Sequence, residues 1–471
     1  MIIFFLLLPA ILMFIVSFVK TDKIANLLPF VSFTIIIPNI MLFKLPYPYH
    51  LMGNYLIVDK LGDYVFLVSS VVSIGVSLAL MTLHKHVNIK KRAYNRFYRF
   101  FALFWLGLIL STLSNNMGIY WVGLEFATLS TVYMIKINYT STAHKEAWNY
   151  MIVDTIAISI ILFGIILIYA SAKPLLGDNA MNFNALLAHI KEIKMPFLFE
   201  IGFAITTVGM FIKLGMFPMN LWLADIERAS FYPVPALFSG ILESAVMIGF
   251  FRFSKIVMQI DFTQLFGFVF IYSFLTIFIV AFLIYRAKDF IRLFSFSGIE
   301  HMALIALFWV SGGTFAALLH FGAHAFLKPS LFLSTGVLES KGKYHMAGAL
   351  RGYKGIKGKI FWFIVGLFLL AIVSVPPSPM FFSEIYGFGA MINMAKHTHH
   401  MLAMIAAIAF LLILLSIIFY RFTAIYQSMK YGGTQEEKKV YSSEIIALII
   451  LAVSLALLLL PQSMEYLRSI S

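Results

Sequence analysis

Apolar runs of about twenty residues recur along the whole chain, separated by short polar turns. A helix of that length spans the ~30 Å hydrocarbon core of a bilayer. The pattern predicts fourteen spans, at 2–19, 25–43, 64–84, 97–113, 117–136, 149–170, 198–219, 233–253, 262–285, 289–311, 314–337, 360–394 (interrupted), 400–422 and 443–461. No polar stretch is long enough for an extramembrane domain. The segment 181–194 places Phe183, Leu186, Leu187, Ile190 and Ile193 on one helical face, as a short interfacial helix would. The first run has neither a basic leading region nor a small-residue cleavage site, so it reads as a retained span and not a signal peptide. The expected fold class is an all-α integral membrane protein.

Composition sharpens this picture. Of 471 residues, 61% are hydrophobic and only 12% charged, against about 25% charged in soluble domains. Cysteine is absent, which removes disulfides, thiolate catalysis and cysteine-ligated iron–sulfur clusters. Any redox centre that drives this chain must then sit on another one. No cofactor motif is present, neither a glycine-rich dinucleotide turn nor a Walker loop nor HExxH, and no metal site is expected. The net charge of +14 raises nucleic acid as a partner. Its distribution argues against that: the basic residues lie in the short turns. Loops after odd-numbered spans hold 24 Lys and Arg, those after even-numbered spans 9. By the positive-inside rule the odd-numbered spans end in the cytoplasm and both termini face outward.

Eleven ionisable groups fall inside the apolar runs: Glu125, Asp154, Glu200, Lys213, Glu243, Glu300, His301, His320, His324, Lys328 and Glu384. An isolated charge at the bilayer centre costs about 2.5–3.5 kcal/mol on insertion scales. These groups must therefore face the bundle interior, pair, border water, or titrate, since desolvation disfavours the charged form. Asp154 and Glu200 stand near predicted span ends, where a headgroup-facing role competes with a functional one. Glu300 reads equally well as an interhelical hydrogen-bond partner. His320, His324 and Lys328 recur every fourth residue and share one helix face. Three such groups stacked in an apolar span point to a proton path.

Two spans carry backbone breakers at corresponding places. The seventh has Lys213 before Gly215 and Pro218; the twelfth has Pro376, Pro377 and Pro379 before Glu384. Proline removes a donor and clashes with the preceding turn, so both helices should break there. Such breaks are tolerated at membrane depth where they line protein or water. The two spans are five apart, which predicts inverted five-helix repeats, the sequence signature of a transporter's ion site. The division is an N-terminal three-helix segment at 1–90, a first repeat at 97–253, an inverted second repeat at 262–422 and a C-terminal helix at 443–471. Glu125 then corresponds to Glu300 and His301, and Lys213 to Glu384.

Three stretches, KLGMFPMNLWLADIERAS…PVPALFSGIL (213–242), SFSGIEHMALIAL (295–307) and HFGAHAFLKPSLFLSTG (320–336), give the chain a family resemblance. It resembles the antiporter-like subunits shared by respiratory complex I, Mrp-type sodium/proton antiporters and group 4 membrane-bound nickel–iron hydrogenases. The wording SGIEHM and PPSPMFFSE is most similar to the formate hydrogenlyase branch of the last group. The resemblance implies that Glu125 pairs with Lys213. It also implies that His301 is the family's helix-10 histidine, that His324 and Lys328 form its helix-11 relay and that Glu384 carries the proton out. Glu243 stands where most members of that family have a lysine, which reverses the local sign.

The leading expectation is therefore a proton-translocating subunit of a redox-driven complex, partnered by other membrane subunits. The proton path would comprise Glu125, Lys213, Glu243, His301, His320, His324, Lys328 and Glu384. A cation/proton antiporter subunit without redox partner and a non-conducting anchor are the alternatives. Sodium against proton stays open, although His and Lys side chains favour protons.

Overall fold

A computed structural model describes residues 2–19, 27–82, 91–138, 140–193, 195–260, 263–338, 355–398, 401–431 and 440–470. Nearly all of them are helical, as the apolar periodicity predicts. Six of the described helices are each long and apolar enough to cross a membrane: Lys60–Leu80, Ser141–Met181, Pro233–Val257, Phe266–Arg286, Phe290–Val310 and Met404–Gln427. The other expected spans are shorter, interrupted or less apolar, so length and composition identify a multi-pass protein without fixing the count at fourteen. Of the expected inward loops at 85–99, 339–359 and 423–442, residues 85–90, 339–354 and 432–439 lie outside the described residues.

The chain forms two compact units. The first comprises Met1–Ser70, Lys90–Gly215 and Ile241–Phe268. Its organising contact is between the helices Ser141–Leu176 and Pro196–Lys213. At Gly164, Gly202 and Gly209 these helices meet backbone to backbone. A Cβ on Gly164 would stand 2.6 Å from the Gly202 carbonyl oxygen. Lipid tails are as apolar as Leu, so helices in a membrane gain little from burial alone, and small residues that allow such approach govern their association.

The same unit holds an element that the hydrophobic pattern does not predict. Tyr49–Leu51 and Leu56–Val58 form an antiparallel hairpin, with Met52, Gly53 and Asn54 in the positive-φ region at its turn. The hairpin is tied to the turn between two helices, Lys91–Thr112 and Met117–Ile135, by Ile57 N–H to the Leu113 carbonyl at 2.7 Å. Arg252, buried, fastens that corner: it ion-pairs with Asp59 at 3.0 Å and donates to the carbonyls of Thr112 and Ser114. Residues 183–192 form a short helix followed by a 3-10 turn. Its apolar face packs on protein, with the Phe183 and Phe253 rings edge to face at 4.9 Å.

The second unit comprises Val71–Ile89, Met216–Gly240 and Val269–Ser471. Its centre is the pair Phe290–Val310 and Thr314–Leu338. Nearly every side chain of both is buried, which fits helices apolar all round and enclosed by others. The helix Met401–Tyr431 runs nine residues beyond the predicted end of its span at 422, carrying the polar stretch from Arg421 to Tyr431.

Both expected breaks are present. The helix that begins at Pro196 stops at Lys213. Gly215 then takes φ +68°, a conformation that glycine adopts without a steric penalty, and Leu221–Ala229 forms a separate half-helix. The twelfth span divides into Gly355–Ala371 and Pro379–Thr398.

Candidate functional site

Most of the candidate titratable side chains gather in two clusters, one in each unit. In the first unit Lys213 lies at the end of its helix, where the carbonyl end of the macrodipole favours a cation. The antiparallel register set by the glycines decides what faces it. Asp154 lies ten residues before Gly164, and Lys213 eleven after Gly202. Lys213 Nζ accordingly ion-pairs with Asp154 Oδ1 and donates to Thr128 Oγ1 at 3.0 Å. Lys213 and Asp154 are both buried, their side chains 2% and 6% exposed.

This corrects two expectations. Asp154 is not a headgroup residue at a span end: its helix begins at Ser141, eight residues before the predicted start at 149. That puts Asp154 about 20 Å along the axis. And the carboxylate bonded to Lys213 is Asp154, not Glu125. Glu125 is half-buried on the helix Met117–Ile135, three residues before Thr128 and so on the same face. It lies within electrostatic range of both members of the pair, and its Oε2 has no hydrogen-bond partner. Tyr150, on the Asp154 helix, bonds Thr131 at 3.1 Å and closes the cluster with hydroxyls. Glu200 is half-buried in the second turn of its helix. Glu243 is buried directly after a π-helical turn at Phe238–Leu242, an irregularity common at functional sites.

In the second unit the predicted face of His320, His324 and Lys328 is fully buried. His301 Nδ1 lies 3.0 Å from His320 Nε2, and His320 Nδ1 lies 2.8 Å from Ser383 Oγ. The Ser383 hydroxyl donates to the Met380 carbonyl at 2.7 Å. With that proton committed, a neutral His320 donates from Nδ1 to Ser383 and accepts at Nε2 from His301. Neutral imidazole has one donor and one acceptor nitrogen, so the two contacts of His320 use one of each. The other ring nitrogen, His301 Nε2, lies 3.7 Å from Glu300 Oε2, beyond hydrogen-bond distance. The His324 ring stands 5.7 Å from that of His301, centre to centre. Lys328 Nζ donates to the Phe294 carbonyl.

Glu384 accepts a hydrogen bond from the hydroxyl of Ser374, which lies in the break with φ +59°. Pro376, Pro377 and Pro379 carry no N–H. The amides of Ser374, Val375 and Ser378 pair within the break, with the carbonyls of Ala371, Leu370 and Val375. Tight turns of the backbone itself therefore satisfy these amides.

Two residues of the second cluster escape a reading of apolar runs. Glu227 is buried on the half-helix Leu221–Ala229, near Ser295 and within electrostatic range of Lys328. The run pattern leaves 220–232 as a turn, although the amphipathic LWLADIERA is a usable helix signal. Ser383 has no comparable signal. Among the described residues, no three His, Asp or Glu are arranged to hold a metal ion.

Known proteins share this chain's sequence pattern and fold. The profile of the NADH:quinone oxidoreductase/Mrp antiporter transmembrane family matches residues 114–430. The hydrogenase-4 component F homolog of Methylacidiphilum infernorum is 28% identical over 343 residues, covering 70% of this chain and 71% of its own. NADH-quinone oxidoreductase subunit N 1 of Aquifex aeolicus is 24% identical over 403 residues, 83% of this chain and 81% of its own. In fold, a chain of the archaeal membrane-bound sulfane sulfur reductase superposes with a TM-score of 0.84 at 19% identity, covering 100% of this chain and 96% of that one. The chain therefore belongs to the NADH:quinone oxidoreductase/Mrp antiporter transmembrane family and is one of its antiporter-like membrane subunits.

Proposed function

We propose that this subunit moves protons within a redox-driven membrane complex of the group 4 nickel–iron hydrogenase type. The observation that carries the proposal is the buried hydrogen-bonded series His301–His320–Ser383, with Glu300 at one end and Glu384 next to the other. An imidazole that takes a proton on one nitrogen and releases one from the other passes charge along such a series, its ring turning to reset it, and its ordinary titration range lies near physiological pH. The Lys213–Asp154 pair of the first unit supplies a second group whose charge state is held by a partner. The similarity to a hydrogenase-4 component supports the hydrogenase assignment over a free-standing antiporter.

The complex purified through a tag on this chain is expected to contain hydrogenase large and small subunits. In sealed vesicles, its redox turnover should acidify one compartment in sodium-free buffer. Transport that requires sodium and continues without the redox partner would instead establish the cation/proton antiporter.

We place the protein in the cytoplasmic membrane with both termini outside, on the 24-to-9 asymmetry of Lys and Arg. The chain has no cysteine, so Ser340→Cys and Ser428→Cys provide unique labels. Membrane-impermeant maleimide should reach both from the cytoplasmic side alone; labelling of both from outside would invert the topology.

A further inference from the structure

The first unit carries a cavity of about 330 Å³ at one end of its helices, lined by Arg96, Phe100, Tyr133, Lys136, Ile137 and His144. Three of the six are basic or potentially cationic, and none is acidic. Phe100 and Tyr133 stack at 4.7 Å with an interplanar angle of 8°, forming a rigid wall. Lys136 Nζ stands 5.8 Å over the Tyr133 ring. His144 Nδ1 bonds the Thr140 carbonyl at 2.9 Å, which fixes the orientation of its ring. The cavity also adjoins the first turn of the helix Ser141–Leu176, whose amide end favours an anion.

What leads into it identifies the occupant. Val122, Phe126, Leu129 and Tyr133 are exposed on the helix Met117–Ile135. Their spacing of three and four residues makes one apolar stripe, which ends at the cavity wall. A molecule with an apolar tail along this stripe and an anionic head among Arg96, Lys136 and His144 meets both surfaces. A soluble anion would use only the second, and a cavity of this size admits a phosphate diester and its glycerol but not a folded segment. We infer that Arg96, Lys136 and His144 bind the headgroup of an anionic phospholipid whose acyl chain lies along the Val122–Tyr133 stripe. Basic pockets at the ends of transmembrane helices recognise such headgroups, each Lys or Arg adding to the attraction.

The test uses the intact complex in nanodiscs of phosphatidylcholine and phosphatidylglycerol, with retained lipid counted by native mass spectrometry. Wild type should keep phosphatidylglycerol in preference to phosphatidylcholine. The Arg96→Gln, Lys136→Gln double variant should retain it on the order of tenfold less. Arg96→Lys should stay close to wild type, as should Lys145→Gln, which removes a nearby exposed charge that does not line the cavity. Equal retention by the double variant would overturn the assignment. So would full displacement of the lipid by millimolar inorganic phosphate, which would mark a soluble-anion site. A photo-crosslinker at Tyr133 that captures a neighbouring subunit instead of lipid would overturn it as well.

Discussion

Exchanging Asp154 for Asn should stop proton movement and destabilise the subunit, and a second exchange, Lys213→Met, should restore much of the lost stability but not the transport. Both side chains are withdrawn from solvent. Removing one member of a buried pair leaves the other charge without compensation, which costs about 3–5 kcal/mol. Removing both leaves two apolar or neutral groups of similar volume, which proteins tolerate far better. The thermal transitions of the purified complex should therefore show a strongly non-additive cycle. Glu125→Gln should disturb stability much less, because Glu125 is half-buried and makes no hydrogen bond to Lys213. It should still impair transport if its charge biases the pair electrostatically. A cycle that couples Lys213 to Glu125 more strongly than to Asp154 would refute the pairing and restore the sequence-based expectation.

That case marks where the sequence is informative and where it is not. Spacing placed His320, His324 and Lys328 on one face, and a face is all that spacing can define. The prolines located both helix breaks, because a missing amide is a local fact. Asp154 needed two further pieces of information. One is the true start of its helix, hidden by the polar residues His144, Lys145 and Glu146, although Thr140 caps it through the Ala143 amide and Ser/Thr before a helical run is a start signal. The other is the register against the Lys213 helix, set by Gly164, Gly202 and Gly209 in a backbone contact that no single helix reveals.

Glu227 was hidden by length: nine residues between a proline break and Pro233 resemble a turn. The hairpin at 49–58 was hidden by its setting, a polar-looking interval between apolar runs, although Gly53-Asn54 shortly before Leu56-Ile57-Val58 is a turn signal. The hydrogen-bond direction through His320 was hidden altogether, since it depends on Ser383 and the Met380 carbonyl, each brought there by the break in the twelfth span.

The same break makes Glu384 the residue whose loss should be most specific. Glu384→Gln is expected to reduce redox-driven acidification to the level of passive leak while the complex still assembles and the redox half-reaction continues with artificial partners. The substitution keeps side-chain size and a hydrogen bond with Ser374, so the break retains its contacts; what it removes is the ability to gain and lose a proton. Ser383, one residue earlier, is hydrogen-bonded to His320. The imidazole series thus ends one residue before Glu384, on the helix that follows the break. Ser374→Ala separates position from titration: it deletes the donor to Glu384 but leaves the carboxyl, and should slow translocation without abolishing it. The measurements are quenching of a pH-sensitive dye in vesicles holding the whole complex and recovery of all subunits on purification. Normal acidification by Glu384→Gln would remove this residue from the path. Failure to recover the complex would give Glu384 a structural role instead, as the acceptor that holds the break closed through Ser374.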